Sequence, residues 1–425
     1  MALLTCAGIF AAGTAVAQSA YACRGLDRHA GLPAVEGAGG MFFAIQPELQ
    51  AHHSLADGTI AQIAALSDAL ATRGTTLVLM PVPTRAQVMT DALPPMATHL
   101  GYQVDLATAV HDDMMRRLTG AGLTVADALP GLRAAARAGK QPVLQTDPRP
   151  TADGVQHLAK AVGAALQDHP GMEGAVRARF TSTPTQEVTL PSPMRVQLQQ
   201  ACQSELPQAT IMAYTTAQVG QNVLPASTGP IAATDRLVVL GSDLTATAAL
   251  NLPGFLSEAT GLAAQGYGVP GGGAFAAMSS YLTSDDFAVA PPRVLVWEWP
   301  VTASMAQHGA QPMAELIAAA HGRCTQALPL RQVGDQLLAD LRAVPQRADV
   351  MLAFDLGGRA ARHARFHLTG ADGLTRTRSI YRHDGQILTG RFFLSLADMA
   401  PAGLSQVAIE TDSAPGLQPR LSVCF

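Results

Sequence analysis

Charge is scarce in this chain of 425 residues: Asp, Glu, Lys and Arg together make up 14% of it, aromatics make up 5%, and the formal net charge is −4. With no excess of basic residues there is no global field to hold nucleic acid, which drops out as a partner. Lysine occurs only as Lys140 and Lys160, so arginine carries almost all of the 28 positive charges. No C-x-x-C pair occurs, which argues against structural zinc and thioredoxin-like centres. His52-His53 has no third ligand nearby, so no metal and no cofactor is implied. Beyond residue 17 no stretch approaches about 18 uninterrupted apolar residues, and a membrane-spanning helix is not expected. At 48% hydrophobic, the chain is far too apolar for disorder and long enough for two ordinary domains.

The five cysteines are dispersed. Cys6 lies in an apolar leader that ends in Ala15-Val16-Ala17, a small-x-small pattern of the kind signal peptidase accepts. The leader lacks a positive n-region, yet Cys23, Cys202, Cys324 and Cys424 independently suit two disulfides in an oxidising compartment. An exported, soluble periplasmic protein is expected, with residues 1–17 as signal peptide.

Apolar positions Ile60, Ile63, Leu66 and Leu70 recur at helical spacing, and Thr75 to Met80 then reads as a buried strand running into Pro81-Val82-Pro83-Thr84-Arg85. The alternation continues. Leu106, Val110, Met114 and Leu118 line a helix, Leu123 to Ala126 is a short strand, Ala152 to Leu166 is helical, and Arg236 to Leu240 and Arg293 to Trp297 are apolar strands. Helix and strand in alternation predict a layered α/β domain over 24–322. Trp297 and Trp299 share strand parity, which favours burial against a helix layer over sugar stacking. Gly266-Tyr267-Gly268 and Gly271-Gly272-Gly273 read as loop.

Beyond Cys324 the texture changes to short β-like runs at Val350–Leu356, Ala364–Leu368, Gly390–Leu396, Val407–Ile409 and Leu421–Val423, separated by Gly, Asp and Pro turns. This predicts a small β-sandwich over 324–424. Four cysteines allow three connectivities. Pairing Cys23 with Cys202 and Cys324 with Cys424 is the one that respects the domain boundary.

Several landmarks in order resemble the alginate O-acetyltransferase family of the AlgX/AlgJ type. Gly37-Ala38-Gly39-Gly40-Met41-Phe42-Phe43 is similar to the family's G-x-x-G-W-L-F, and Leu77 to Arg85 (LVLMPVPTR) to its strand and P-x-P-T-[RK] loop. Thr146-Asp147-Pro148-Arg149-Pro150-Thr151 stands at the place of T-D-x-H-W-T. Gly241-Ser242-Asp243 follows, and Pro291 to Pro300 is similar to P-x-x-x-x-W-E-x-P. The resemblance implies an SGNH-hydrolase-like domain followed by a carbohydrate-binding-like β module. It also implies an acidic polysaccharide as ligand and other exopolysaccharide-assembly proteins as partners.

The chemistry departs from the family pattern. The orienting Asp is Asp147, but the base position holds Arg149 and the nucleophile position holds Asp243. A guanidinium stays protonated above pH 12 and cannot act as general base. A carboxylate nucleophile would form a labile mixed anhydride in place of a serine ester. The expected reading is a degenerate enzyme in which Asp147, Arg149 and Asp243 form a charged cluster that fills the old cleft or holds a uronate carboxylate. The alternative is an active transferase or esterase with Ser242 as relocated nucleophile. Thr84 and Arg85 are ligand candidates. Arg365, Arg376, Arg378 and Arg382 lie in a stretch where seven arginines face only Asp372 and Asp384, a layout suited to a polyanion and equally to an ordinary solvated sheet face.

Overall fold

A computed structural model describes residues 19–220, 235–305, 309–322, 324–345, 350–397, 403–414 and 418–424. The proposed leader and Cys6 lie outside the described residues. A parallel sheet orders its five strands as Thr124–Val125, Thr76–Val82, Val294–Pro300, Arg236–Gly241 and Ala263–Gly268. Both of its faces are covered, and the strand sequences show why: Val294 and Val296 enter one apolar core while Leu295, Trp297 and Trp299 enter the other. Val239 and Leu240 divide in the same way. Helices Ala152–Leu166 and Leu252–Thr260 close the first core, and helices Asp57–Ala71, Ala276–Leu282 and Gln311–His321 close the second. The two tryptophans are fully buried on the same side, with Trp297 Nε1 donating to the Ala274 carbonyl at 2.8 Å.

Two differences from expectation have local causes. Gly266, Tyr267 and Gly268 belong to the edge strand Ala263–Gly268, paired in parallel with Arg236–Gly241, and are not loop. Helix Val104–Gly120 buries Ala107, His111, Met114 and Leu118, while Leu106 is exposed. Its stripe is rotated because His111 Nε2 bonds Asp127 at 3.0 Å and takes an inward position that hydropathy assigns elsewhere.

The C-terminal part is a sandwich of two antiparallel sheets. One orders Cys324–Leu328, Arg420–Cys424, Met351–Asp355 and Arg391–Ser395; the other orders Arg331–Val333, Gln336–Asp340, Leu404–Thr411, His363–Gly370 and Thr375–Tyr381. Phe354, Phe366, Phe392, Leu394, Val407 and Ile409 fill the space between them. The sandwich sits against the α/β domain through an apolar cluster of Ala318, Met351 and Cys424 and through polar contacts. Arg382 pairs with Glu315, and the Gln311 side chain bonds the backbone of Phe393 and Ser395. Disulfides join Cys23 to Cys202 and Cys324 to Cys424. Among the described residues no helix is long and apolar enough to cross a membrane.

Candidate functional site

The carboxyl ends of the parallel strands open into a cleft of about 710 Å³, where open α/β sheets characteristically bind ligands. Four segments converge there. Strand Thr76–Val82 delivers Thr84, strand Arg236–Gly241 delivers Ser242 and Asp243, and strand Val294–Pro300 delivers Glu298. The loop before helix Ala152–Leu166 delivers Asp147 and Arg149. That loop is held by close packing: a Cβ on Gly154 would stand 2.0 Å from the Pro142 carbonyl oxygen, so only glycine lets the helix start approach it.

Asp147 and Arg149 form a bidentate pair, Nε to Oδ1 at 2.7 Å and Nη2 to Oδ2 at 2.8 Å, closed by the Arg149 backbone N–H donating to Oδ1 at 3.0 Å. Arg149 Nη2 also donates to the Pro191 carbonyl at 2.6 Å, tying the loop to the segment before helix Pro193–Gln199. Asp147 is 1% exposed. Burial works to raise its pKa, but the Arg149 hydrogen bonds outweigh burial and hold the carboxyl below its ordinary value. Arg149 is reciprocally held protonated, first by its bonds to Asp147, with a smaller contribution from the Asp243 charge. Asp243 itself is exposed at the start of the short helix Asp243–Ala246, and its Oδ2 accepts from the Gly271 N–H at 3.1 Å. The three charges share one cleft, but the cluster is lopsided: Arg149 bonds Asp147, Thr247 and Pro191, whereas Asp243 engages the glycine loop.

Ser242, next to Asp243, points the other way. Its Oγ donates to Glu298 Oε1 at 2.8 Å and its backbone N–H donates to Oε2 at 2.7 Å, while Thr245 Oγ1 donates to Oε2 at 2.8 Å. Glu298 is fully buried, and burial raises its pKa despite these bonds. Gly241 makes room for it, since a Cβ there would meet Glu298 Oε2 at 2.0 Å. Sequence reasoning overlooked Glu298, although a lone charge inside the apolar run VLVWEWP is a legible signal.

Thr84 lines the cleft, and its hydroxyl caps the short helix Arg85–Val88 by accepting from Gln87 N–H at 3.1 Å. Arg85 corrects an expectation. It is 1% exposed, pairs with Glu48 and donates to the Gln145 and Asp147 carbonyls, so it supports the Asp147 loop from beneath and does not meet a ligand. Arg382 is a second correction, buried with both guanidinium branches on Glu315 at 2.7 Å. The basic stretch is also less basic than its sequence, because acids from outside it reach in: Glu410 meets Arg365, and Asp285 and Asp355 meet Arg391, while Asp384 of the stretch itself pairs with Arg362. Arg376 and Arg378 stay exposed on the edge strand Thr375–Tyr381, opposite Leu368 and Phe366. His157 bonds the Asp153 carbonyl within its own helix, at 2.8 Å, and is not among the cleft's lining residues. Among the described residues no group of three or more potential metal ligands occurs.

Comparison with known proteins places this geometry. The family model described as the SGNH hydrolase-like domain of acetyltransferase AlgX matches residues 36–301. Alginate biosynthesis protein AlgX of Pseudomonas aeruginosa is 26% identical over 297 residues, which span 69% of this chain and 62% of that protein. The solved structure of Pseudomonas aeruginosa AlgX superposes with a TM-score of 0.75 at 20% identity, covering 92% of this chain and 94% of that one. The O-acetyltransferase domain of Pseudomonas putida AlgJ gives a TM-score of 0.50 at 21% identity over 63% of this chain and 91% of that domain. At such identities the two structures speak for the fold alone.

Proposed function

The chain belongs to the SGNH-hydrolase-like AlgX acetyltransferase family, and from that premise we propose that it serves alginate-like exopolysaccharide biosynthesis as a polymer-binding member that transfers no acetyl group. One observation supports this reading: Arg149, at the position where the resemblance expects the imidazole that takes a proton from a serine, is held in a bidentate pair with Asp147. A guanidinium held protonated by a buried carboxylate accepts nothing. What such a cleft offers is charge at fixed positions, from Arg149 and Asp243 in its lining. Arg376 and Arg378 add exposed charge on the sandwich edge, where repeating carboxylates of a polyuronate can engage them. Two disulfides suit an oxidising compartment, and with the AlgX relatives they support a periplasmic place beside other polysaccharide-assembly proteins, as polymer guide or scaffold.

A second reading has its own observation. Ser242 Oγ lies 2.8 Å from a carboxylate whose proton affinity is raised by burial, so Glu298 is a chemically competent proton acceptor for a serine nucleophile. A pair of assays separates the two. Hydrolysis of p-nitrophenyl acetate is measured for the wild type and Ser242→Ala, and polyuronate binding is measured against salt. The polymer-binding reading expects no turnover in either protein and binding that weakens with salt. Turnover abolished by Ser242→Ala establishes the relocated nucleophile instead.

A further inference from the structure

A two-stranded ribbon, Phe180–Thr189 with Thr210–Gln218, belongs to none of the larger sheets, and its two edges are built differently. The edge of Phe180–Thr189 is blunted: it carries Pro184, a bulge between Pro184 and Glu187, and the Glu187 charge, features that keep a sheet edge from pairing with another chain. Thr210–Gln218 (TIMAYTTAQ) has none of them. It holds no charged residue and no proline, it is rich in β-branched and aromatic side chains, and no further strand among the described residues pairs with it.

The ladder fixes which backbone groups this second edge presents. Val219 N–H donates to the Arg179 carbonyl at 2.8 Å and Leu190 N–H to the Ala209 carbonyl at 2.9 Å, so the odd-numbered residues from 209 to 219 turn their backbone groups toward the neighbouring strand. The N–H and C=O groups of Met212, Tyr214, Thr216 and Gln218 therefore point outward. Thr210 presents only its carbonyl, since its N–H donates to the Gln208 carbonyl. The strand is held firmly from below: Tyr214 packs edge-on against Phe255 at 5.2 Å, and Thr216 Oγ1 accepts from Asn251 Nδ2 at 2.9 Å and bonds Ser182 Oγ at 2.8 Å. Met212 is 38% exposed.

We propose that this edge pairs with the same edge of a second copy of the chain, antiparallel about Tyr214, to form a four-stranded sheet across a two-fold axis. In that register Tyr214 faces its own equivalent, Met212 faces Thr216 and Thr210 faces Gln218, so outward groups meet only outward groups. Each protomer donates from the N–H groups of Met212, Tyr214, Thr216 and Gln218 to carbonyls of the same set and Thr210 in the other copy. No charge is buried, because the strand has none. Closure decides the occupant. Once the two unguarded edges are joined, the edges left outside are the blunted ones, so the assembly stops at two chains. A pairing of single strands is a small interface, and the dimer should depend on concentration. The proposal is independent of what the cleft binds.

Sedimentation of the full chain across concentration tests it, and the mass should rise from one chain toward two. Amide exchange locates the contact. Met212, Tyr214, Thr216 and Gln218 should exchange about tenfold more slowly once about nine chains in ten are paired, while Ser182 and Thr189 on the blunted edge keep their rates. Met212→Pro removes one outward donor and sets a ring against the incoming strand. Its nitrogen takes no part in the ladder to Phe180–Thr189, so the fold and its melting temperature should hold while the dimer is lost. The exchange measurement uses the wild type and does not depend on the variant folding. A protein that stays monomeric at every concentration overturns the proposal, whatever foreign strand its edge accepts. So does a dimer whose Met212, Tyr214, Thr216 and Gln218 amides exchange as fast as in the monomer, or one that a folded Met212→Pro leaves intact.

Discussion

The Arg382 guanidinium and the Glu315 carboxylate meet in two parallel hydrogen bonds of 2.7 Å, one residue from the sandwich and one from helix Gln311–His321. Both side chains are almost wholly buried, and the Arg382 guanidinium also stacks over the Phe392 ring at 4.8 Å. Glu315 Oε1 further accepts from the Phe393 N–H at 3.1 Å, so the pair binds a sandwich strand as well as a side chain. Removing one partner strands a desolvated charge at the junction. Arg382→Ala is expected to cost about 3–5 kcal/mol, seen as a lowered melting temperature and as separate melting of the two domains in calorimetry. Replacing both residues by apolar ones should recover much of that loss.

Arg85 and Glu48 play the corresponding part under the cleft. Arg85 Nε donates to Glu48 Oε1 at 2.8 Å while Nη1 reaches the Gln145 and Asp147 carbonyls at 3.2 and 3.3 Å, and Glu48 Oε2 accepts the Ala44 N–H at 2.9 Å. Arg85→Ala should destabilise the fold by about 3 kcal/mol or more. It should also accelerate amide exchange across residues 145–149, because the loop carrying Asp147 loses its support. Ligand affinity should fall without any loss of a direct contact.

Much of this architecture is legible in the sequence wherever burial is one-sided or complete. Arg236 to Leu240 and Arg293 to Trp297 read as strands because both faces of the parallel sheet are covered, leaving unbroken apolar runs. The ribbon pairing Phe180–Thr189 with Thr210–Gln218 is invisible to the same reasoning, being largely exposed and rich in threonine with no face to alternate. Ion pairs are the other blind spot. Arg85 looks like a ligand residue in LVLMPVPTR until Glu48 arrives from 37 positions upstream, and Arg382 belongs to a basic stretch until Glu315 arrives from another domain. Asp147, Arg149 and Asp243, singled out through the family resemblance, do line one cleft, because each follows a strand end or precedes a helix start.

Acid stability should report the Asp147–Arg149 pair. The carboxyl titrates below its ordinary value of 3.8 in the folded protein, so its contribution is present above that value and is lost as pH falls through the lower, folded-state pKa. In Arg149→Met only burial and weaker bonds act on Asp147, and its pKa should rise. The variant is expected to carry an unfavourable buried carboxylate at neutral pH and to lose stability relative to wild type as pH rises above about 4, measured by urea unfolding across pH.

Glu298 should act with the opposite sign. Burial lifts its pKa above 4.5, so the folded state keeps a proton that the unfolded chain has released, and stability should decline as pH climbs from about 4.5 to the higher folded-state value. Glu298→Gln removes this titration. Its stability profile is expected to be flat across the same window, while the Ser242 turn, held by three bonds to the carboxylate, loosens in amide exchange.

The polymer-binding reading makes its strongest claim about what two substitutions can restore. Asp243 and Arg149 occupy one cleft with the buried Asp147, so on that reading what is missing is a hydroxyl at position 243 and an imidazole at position 149, with Asp147 kept as the orienting carboxylate. Asp243→Ser alone supplies a hydroxyl with a guanidinium for a neighbour, and Arg149→His alone supplies a base with nothing to activate. Neither should turn over. With both changes the imidazole can donate to Asp147 and accept from the new hydroxyl, and a general base so placed contributes on the order of 10²-fold or more. Hydrolysis of p-nitrophenyl acetate is therefore expected to rise about a hundredfold over the uncatalysed background in the double variant only, with a pH profile that follows imidazole deprotonation. If wild type already matches the double variant, and Ser242→Ala silences both, catalysis runs through Ser242 and the charged pair was never its replacement.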